Sequence, residues 1–426
     1  MFIVLTGRPG AGKTRSVANV VKKVKSKPIL CLFPLRALRD AFYEQVKDNP
    51  KAIVVRSREE LCLAKDKLKE AVTKLSSYFR LPEEVAYRSL GTLVCARCPY
   101  KEKCEYYKQY ELLKDGYYNI IIATHKMSPA LFALKKWYMI YFDEFETYFH
   151  YLNGVKIPEG ALNRLLEHPL GHLFHEIIVN NYVKVDGFYV PPIKPPNSKY
   201  IVISSATPII PLIKLISKEH KVIFKELPVK QEKDYLIFVY SRRKLREGLL
   251  KVLKEGALDK FLRQNFVGFI SPNKEYSKKL VEILTKKGYN VCSDVKDEHP
   301  PPMHESEKYN YVVTTKGKWF RGVNLADKPI IIGIYQWQTY GGKLKIHNPL
   351  IQEILSKEEI DALREQFVPA ENVQALFRLN RIPYRQHAMI VERKFADALR
   401  MFLPKYYEKC EKHSISDISE LKKIGG

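Results

Sequence analysis

A short apolar run, Phe2-Ile3-Val4-Leu5-Thr6, leads directly into Gly7-Arg8-Pro9-Gly10-Ala11-Gly12-Lys13-Thr14, and helical spacing follows over 14–24. This strand–loop–helix passage constrains the fold more than any other segment. The loop matches G-x-x-x-x-G-K-[ST], in which glycines let backbone N–H groups converge on phosphate oxygens and the helix N-terminus adds its positive end. Lys13 can then reach the β- and γ-phosphates of a nucleotide, and Thr14 can hold Mg²⁺. Such a loop needs a metal-binding carboxylate at the end of another strand. Tyr138-Met139-Ile140-Tyr141-Phe142-Asp143-Glu144 supplies one. Asp143 is placed to hold Mg²⁺, and Glu144 to orient and deprotonate an attacking water. Glu146, nearby, reads as ordinary acidity.

The strand–helix alternation continues with apolar runs at 29–33, 52–55, 119–124, 138–142 and 200–203. That alternation predicts a parallel α/β sheet. A second α/β unit begins after about Leu227, with strands at 266–270, 311–314 and 330–333. At 426 residues and 46% hydrophobic content, the chain is too long for one ordinary domain. Two segments break the sheet pattern. Residues 59–111 are helical, rich in Lys, Glu and Tyr, and hold four of the seven Cys; 151–197 form a shorter interruption ending in a Pro-rich stretch. The expected domains are therefore 1–58 with 112–225, the two insertions, and 228–426.

The phosphate loop alone does not separate kinases, GTPases and motors. Ser204-Ser205-Ala206-Thr207-Pro208 follows a strand. Gln374, Arg378 and Arg381 stand at i, i+4 and i+7, which puts all three on one face of a helix. Two arginines and a glutamine facing one way suit a triphosphate in a cleft between lobes, since Arg stabilises charge on a transferring phosphoryl group. That distant helix and the second α/β unit argue against a small-molecule kinase.

The order of these segments resembles the XPD/DinG group of superfamily 2 helicases. It runs phosphate loop, Pro34-Leu35-Arg36-Ala37-Leu38, Cys cluster, Thr124-His125, Asp143-Glu144, Ser-Ala-Thr, then Gln374 to Arg381. Cys98-Pro99-Tyr100 and Lys318-Trp319-Phe320-Arg321-Gly322-Val323-Asn324-Leu325 are also similar to segments of that group. The chain departs from the group at Phe377, where a Gly is usual, and at Arg321 and Asn324, which replace two acids. The resemblance implies two tandem RecA-like parallel-sheet domains, with a Cys-rich iron–sulfur insertion and a short arch-like insertion in the first. It implies an ATP-dependent DNA helicase or translocase moving 5′ to 3′ on single-stranded DNA, with Gln374, Arg378 and Arg381 joining Lys13, Asp143 and Glu144 in catalysis. It further implies that Arg36, Thr124 and His125 contact the strand. The departures keep open an ATP-switched single-strand-binding scaffold that unwinds little.

Cys95-x-x-Cys98 and Cys104 place three thiols within about ten residues, close enough for one metal centre. Cys62 is the best fourth ligand. The resemblance implies a 4Fe–4S cluster with a structural role; spacing leaves Zn²⁺ as the alternative. Cys31, Cys292 and Cys410 read as structural. The net charge of +25 and pI near 9.5 point to a polyanion partner, single-stranded DNA or a forked duplex. No apolar run reaches the roughly 18–20 residues of a membrane span. The expectation is an intracellular, cytoplasmic monomer without a membrane partner, using ATP and Mg²⁺.

Overall fold

The computed structural model describes residues 1–7, 10–96, 98–167, 171–193, 197–217, 220–227, 236–240, 245–264, 267–293, 311–314, 330–333, 344–376 and 388–415. The first half opens as the sequence predicts, with β1 (Phe2–Thr6), α1 (Lys13–Lys23), β2 (Ile29–Phe33), α2 (Arg36–Val46) and β3 (Ala52–Val54). Four helices follow: α3 (Arg58–Leu61), α4 (Lys65–Phe79), α5 (Glu83–Ala96) and α6 (Glu105–Lys114). The sheet resumes with β4 (Ile120–Thr124), α7 (Ser128–Phe132), β5 (Trp137–Asp143) and α8 (Glu146–Gly154). A small unit then interrupts: β6 (Ile157–Pro158), α9 (Glu159–Leu166), α10 (Gly171–Asn181), β7 (Val183–Val185) and β8 (Phe188–Val190). The half closes with β9 (Ser198–Ser204), α11 (Ile210–Ser217) and β10 (Val222–Glu226).

Seven described strands form one parallel sheet in the order β10-β1-β9-β5-β2-β4-β3. Its interior strand β2, Ile-Leu-Cys-Leu-Phe, is buried at every position, as a parallel strand covered on both faces must be. Cys31 there is wholly buried, and burial pushes its thiol far above the usual range.

The second half holds β11 (Leu236–Tyr240), α12 (Leu245–Lys254), α13 (Asp259–Gln264), β12 (Val267–Ile270), α14 (Lys274–Lys286), β13 (Val291–Ser293), β14 (Tyr311–Thr314) and β15 (Ile330–Gly333). Then come α15 (Pro349–Ile354), α16 (Lys357–Leu376), β16 (Ala388–Glu392), α17 (Arg393–Phe402), α18 (Pro404–Lys409) and β17 (Glu411–Ile415). A second parallel sheet of seven described strands runs β13-β14-β12-β15-β16-β11-β17. Local chemistry starts its helices: the Asn273 side chain caps α14 by accepting from Tyr276 N at 2.8 Å, and Asn348 caps α15 with Pro349 at its first position. The fold is thus α/β with two tandem parallel sheets of RecA-like type.

Two packing features were not legible as separate segments. The Cys-bearing helices and the later small unit share one core, in which Phe79, Leu81 and Val85 meet Leu162, Phe174 and Ile178. Helices α15 and α16, encoded well inside the second half, bury Ile351, Leu363 and Phe367 in the core of the first sheet, beside Phe149 and Leu212. The Phe149 and Phe367 rings lie 5.3 Å apart. Truncating a fully buried Phe at such a contact costs about 3–5 kcal/mol.

Candidate nucleotide and nucleic-acid site

Because all strands of the first sheet are parallel, their carboxyl ends lie together, and the loop after β1 faces the ends of β5 and β9 there. Gly7 has φ +125°, and a Cβ on it would come within 3.0 Å of the Leu227 carbonyl oxygen, so only glycine fits without strain. Lys13, 9% exposed, donates from Nζ to the Gly7 carbonyl at 2.6 Å, closing the loop on itself. Thr14 Oγ1 donates to Asp143 Oδ1 at 3.2 Å across 129 residues of chain. The buried Tyr141 hydroxyl donates to the same oxygen at 2.8 Å and fixes the carboxylate. The sequence-predicted Mg²⁺ pair, Thr14 and Asp143, is therefore together, and a hydroxyl beside an oriented carboxylate fits that ion's preference for oxygen ligands. Gly10, Ala11 and Gly12 lie in the described loop; Arg8 and Pro9 lie outside the described residues.

Glu144 follows with φ +47°, a left-handed backbone that a non-glycine residue adopts at a cost of order 1 kcal/mol or more. This kink turns the chain sharply out of β5 and into α8.

Glu146 opens that helix and is 4% exposed. It accepts from the Ser205 hydroxyl and from Gln374 Nε2 at 3.3 Å. Gln374 also donates to Thr207 Oγ1 at 2.9 Å, and Thr207 N donates to Ser205 Oγ at 3.0 Å. One buried network thus joins the acidic turn, the Ser-Ala-Thr segment and the Gln374 helix. Burial pushes the Glu146 carboxyl up to about 7, against the Ser205 bond; the nearby Glu144 charge pushes the same way and the Gln374 bond opposes it. Arg378 and Arg381, with Phe377, Arg321 and Asn324, lie outside the described residues.

Of the residues expected to meet a strand, Thr124 ends β4, half-buried. His125 is buried, 3.2 Å from Thr147 Oγ1 and edge-on to Tyr148. Arg36, at the start of α2, is ion-paired with Glu59 and 3.5 Å from Glu60. Behind it the fully buried Arg39 grips Glu60 at 2.6 and 3.0 Å and the adjoining Asp40 at 2.9 Å. Burial opposes the Glu60 charge, yet the Arg39 guanidinium and the Ser57 N–H and hydroxyl hold its carboxyl down at about 2.

Cys62 ends α3, Cys95 lies in the last turn of α5, and Cys104 precedes α6; these and Cys98 are half-buried. Burial raises the Cys95 thiol, a bond from Arg58 opposes this, and the neighbouring Cys62 and Cys104 add to it. Arg58 lies 5.8 and 4.9 Å from the centres of the Tyr87 and Tyr106 rings and bonds the Tyr87 carbonyl at 3.4 Å, while its Nε is buried without a hydrogen-bond partner. A Cβ at Gly91 would meet this guanidinium at 1.5 Å. Half-buried thiols grouped beside a cation with a spare donor fit a thiolate-bound group in their chemistry. Among the described residues, no three Cys, His, Asp or Glu side chains are set as a ready metal site. No described helix is long and apolar enough to cross a membrane.

Sequence reasoning missed Glu146, Arg39 and Arg58. For Glu146 a signal existed: it is a lone acid in Phe145-Glu146-Thr147-Tyr148-Phe149, a setting that buries it.

No protein-family model matches the sequence, and no curated protein matches it. Solved structures do. S. cerevisiae Dbp5 bound to RNA and ADP BeF3 gives a TM-score of 0.52 at 13% identity, over 100% of this chain and 87% of that one. A Dbp5 variant with the same ligands gives 0.50 at 15% identity, over 99% and 88%. S. tokodaii Xpd4 gives 0.49 at 12% identity, over 96% and 95%. At these identities the likeness is one of fold: the chain shares with Dbp5 an architecture that holds RNA and a nucleotide analogue in that protein.

Proposed function

We propose that this chain is an ATP-hydrolysing helicase or translocase of the XPD/DinG type, acting 5′ to 3′ on single-stranded DNA or a forked duplex. The observation that carries the reading is Gln374, brought onto Thr207 and Glu146 beside the phosphate loop. A kinase built on the loop alone has no use for a residue from the second half at that place. The Dbp5 likeness supports the same class, since that protein was solved with RNA and ADP BeF3.

In this reading the backbone of 7–14, Arg8 and Pro9 included, wraps the phosphates, and Lys13 neutralises the β- and γ-oxygens. Thr14 and Asp143 would hold Mg²⁺, which when bound offsets charge on the transferred phosphoryl group. Glu144 orients and deprotonates the attacking water. Gln374, Arg378 and Arg381 complete the site from the second half, so that hydrolysis is felt by both sheets. Arg36, Thr124 and His125 line the strand path. Cys62, Cys95, Cys98 and Cys104 would hold a 4Fe–4S cluster, or Zn²⁺, that ties the small helical body together. The protein works as a monomer inside the cell.

The test is ATP hydrolysis by anaerobically purified protein, with and without single-stranded DNA. Stimulation by the strand, abolished in Lys13→Ala while strand binding persists, is expected. Turnover that survives Lys13→Ala, or ignores the strand, sinks the reading. Preferential displacement from 3′-tailed substrates would reverse the polarity.

A further inference from the structure

The first sheet has a second end, opposite the nucleotide loop, where the amino ends of the parallel strands come together. Cations collect there. Lys221 precedes β10, Lys199 lies at the start of β9, Lys135 and Lys136 precede β5, Lys25 and Lys27 precede β2, and Lys51 precedes β3. In sheet order these flank every strand but β1 and β4, and β4 is preceded by Tyr117 and Tyr118. With neighbouring strands about 4.8 Å apart, the row is roughly 29 Å long.

Three observations set this row apart from ordinary surface lysine. Several lysines elsewhere pair with carboxylates, as Lys74 with Glu70, Lys184 with Glu159 and Lys286 with Glu282. Among the described residues, none of the seven in the row has a carboxylate partner; exposed acids that lie near this end, such as Glu44, Asp48, Glu111 and Asp115, are not paired with them. Four of the seven amines instead sit over aromatic rings, a contact that holds a cation without neutralising it. Lys51 is 3.7 Å from the centre of the Tyr117 ring, Lys27 and Lys199 are 5.6 and 5.7 Å from that of Tyr138, and Lys135 is 5.8 Å from that of Trp137. The floor beneath them is stiff. The entry loops bond one another across the sheet: Asn119 N to the Lys51 carbonyl at 3.1 Å, Ile29 N to Asn119 at 2.7 Å, Tyr138 N to Pro28 at 2.9 Å, and Trp137 N to Asn197 at 3.3 Å.

A row of cations without carboxylate partners among the described residues, set on hydrogen-bonded entry loops, fits an extended polyanion. Because four of the amines already lie over the Tyr117, Tyr138 and Trp137 rings, the row offers phosphate contacts rather than a stacking platform for splayed bases. We infer that the amino-end face of the first sheet is a second nucleic-acid surface, which grips the sugar–phosphate backbone of a duplex independently of its sequence. A row of this length covers roughly 8–9 base pairs at 3.4 Å per pair. It lies at the far end of the strands from the nucleotide loop, so a duplex here leaves that site open.

The test uses full-length protein without nucleotide and a labelled 20-base-pair duplex. Two triple variants are compared with wild type: Lys27→Gln/Lys136→Gln/Lys199→Gln, and the same three positions changed to Glu. Loss of three phosphate contacts lowers the slope of log K against log salt by about 2.7. The Gln variant is expected to bind the duplex about tenfold or more weakly, and the Glu variant more weakly still. Binding of a single strand of equal length and strand-stimulated ATP hydrolysis should stay near wild type. If the Glu variant misfolds by circular dichroism, the Gln variant decides. Duplex affinity unchanged in the folded variants overturns the inference, as does a loss confined to anionic phosphatidylserine vesicles, which would assign the row to a membrane surface. Wild-type protein that binds single strands but no duplex also overturns it while leaving the proposed motor intact.

Discussion

Gln374 Nε2 lies 2.9 Å from Thr207 Oγ1, a contact between residues 167 positions apart in the chain. Both side chains are buried, so the bond is made where water does not compete for it. It joins the Ser-Ala-Thr segment directly to the described helix Lys357–Leu376.

Removing that contact should slow hydrolysis. Gln374→Ala is expected to lower strand-stimulated turnover by about 100-fold, the scale of a lost preorganised donor, with strand affinity kept. Thr207→Val should do part of this. In the double variant the losses should fall short of additive, because both remove one bond. Additive effects in steady-state assays would show that Gln374 acts elsewhere.

Glu146 gives a pH signature. Its folded carboxyl is raised by burial to about 7 from an ordinary 4.5. The folded chain therefore holds a proton that the unfolded chain has released, and stability falls as pH rises from about 4.5 through 7. Glu146→Gln, neutral at every pH, removes this slope. The variant should melt about 3 °C or more above wild type at pH 8, with the gap closing by pH 5. Thermal scans showing the same gap at both pH values would count against a buried, proton-holding Glu146.

The Arg39–Glu60 pair predicts the opposite dependence. With the Glu60 carboxyl held at about 2, its stabilisation is complete above about 4.5 and is lost as pH falls from there toward 2. Arg39→Ala leaves the partly buried Glu60 without its main partner and should destabilise the fold by about 3 kcal/mol at pH 7. Urea titration measures it. A change below 0.5 kcal/mol would mean that the pair is dispensable.

The cysteines make a compositional prediction. Cys95→Ser or Cys98→Ser should sharply lower the iron, or zinc, of anaerobically purified protein, while Cys292→Ser should leave it unchanged. Limited proteolysis should then cut between residues 62 and 115 first. Metal content equal to wild type in the Cys95 variant would remove it from the ligand set.

Much of this molecule can be read from residue order. The phosphate loop, the strand ending at Asp143, and the strands at 29–33, 119–124 and 330–333 stand where the apolar runs put them, because a buried parallel strand must be a continuous apolar stretch. The meeting of Thr14 with Asp143 follows from loop chemistry. What stayed hidden depends on partners distant in sequence. Glu146 reads as a surface acid until Ser205 and Gln374 close over it. Arg39 is one of many basic residues until Glu60 folds back on it. Strands such as Val222–Glu226, exposed at four of five positions, carry no apolar run to find. Burial of polar groups is a property of the assembled chain, and periodicity along one segment does not report it.

The placement of α15 and α16 has a consequence for modularity. The chain reads as two consecutive halves that a gene could exchange or a biochemist could express apart. The fold does not divide there. A fragment ending near residue 227 would lose Ile351, Leu363 and Phe367 from the core of its own sheet, and the remaining fragment would expose them to water. The first half has no complete interior without them, whereas the core of the second sheet is drawn from residues 245–390 alone. The second half can therefore be grafted or evolved only together with the surface of the first half that receives those helices, and the two sheets are inherited as one unit.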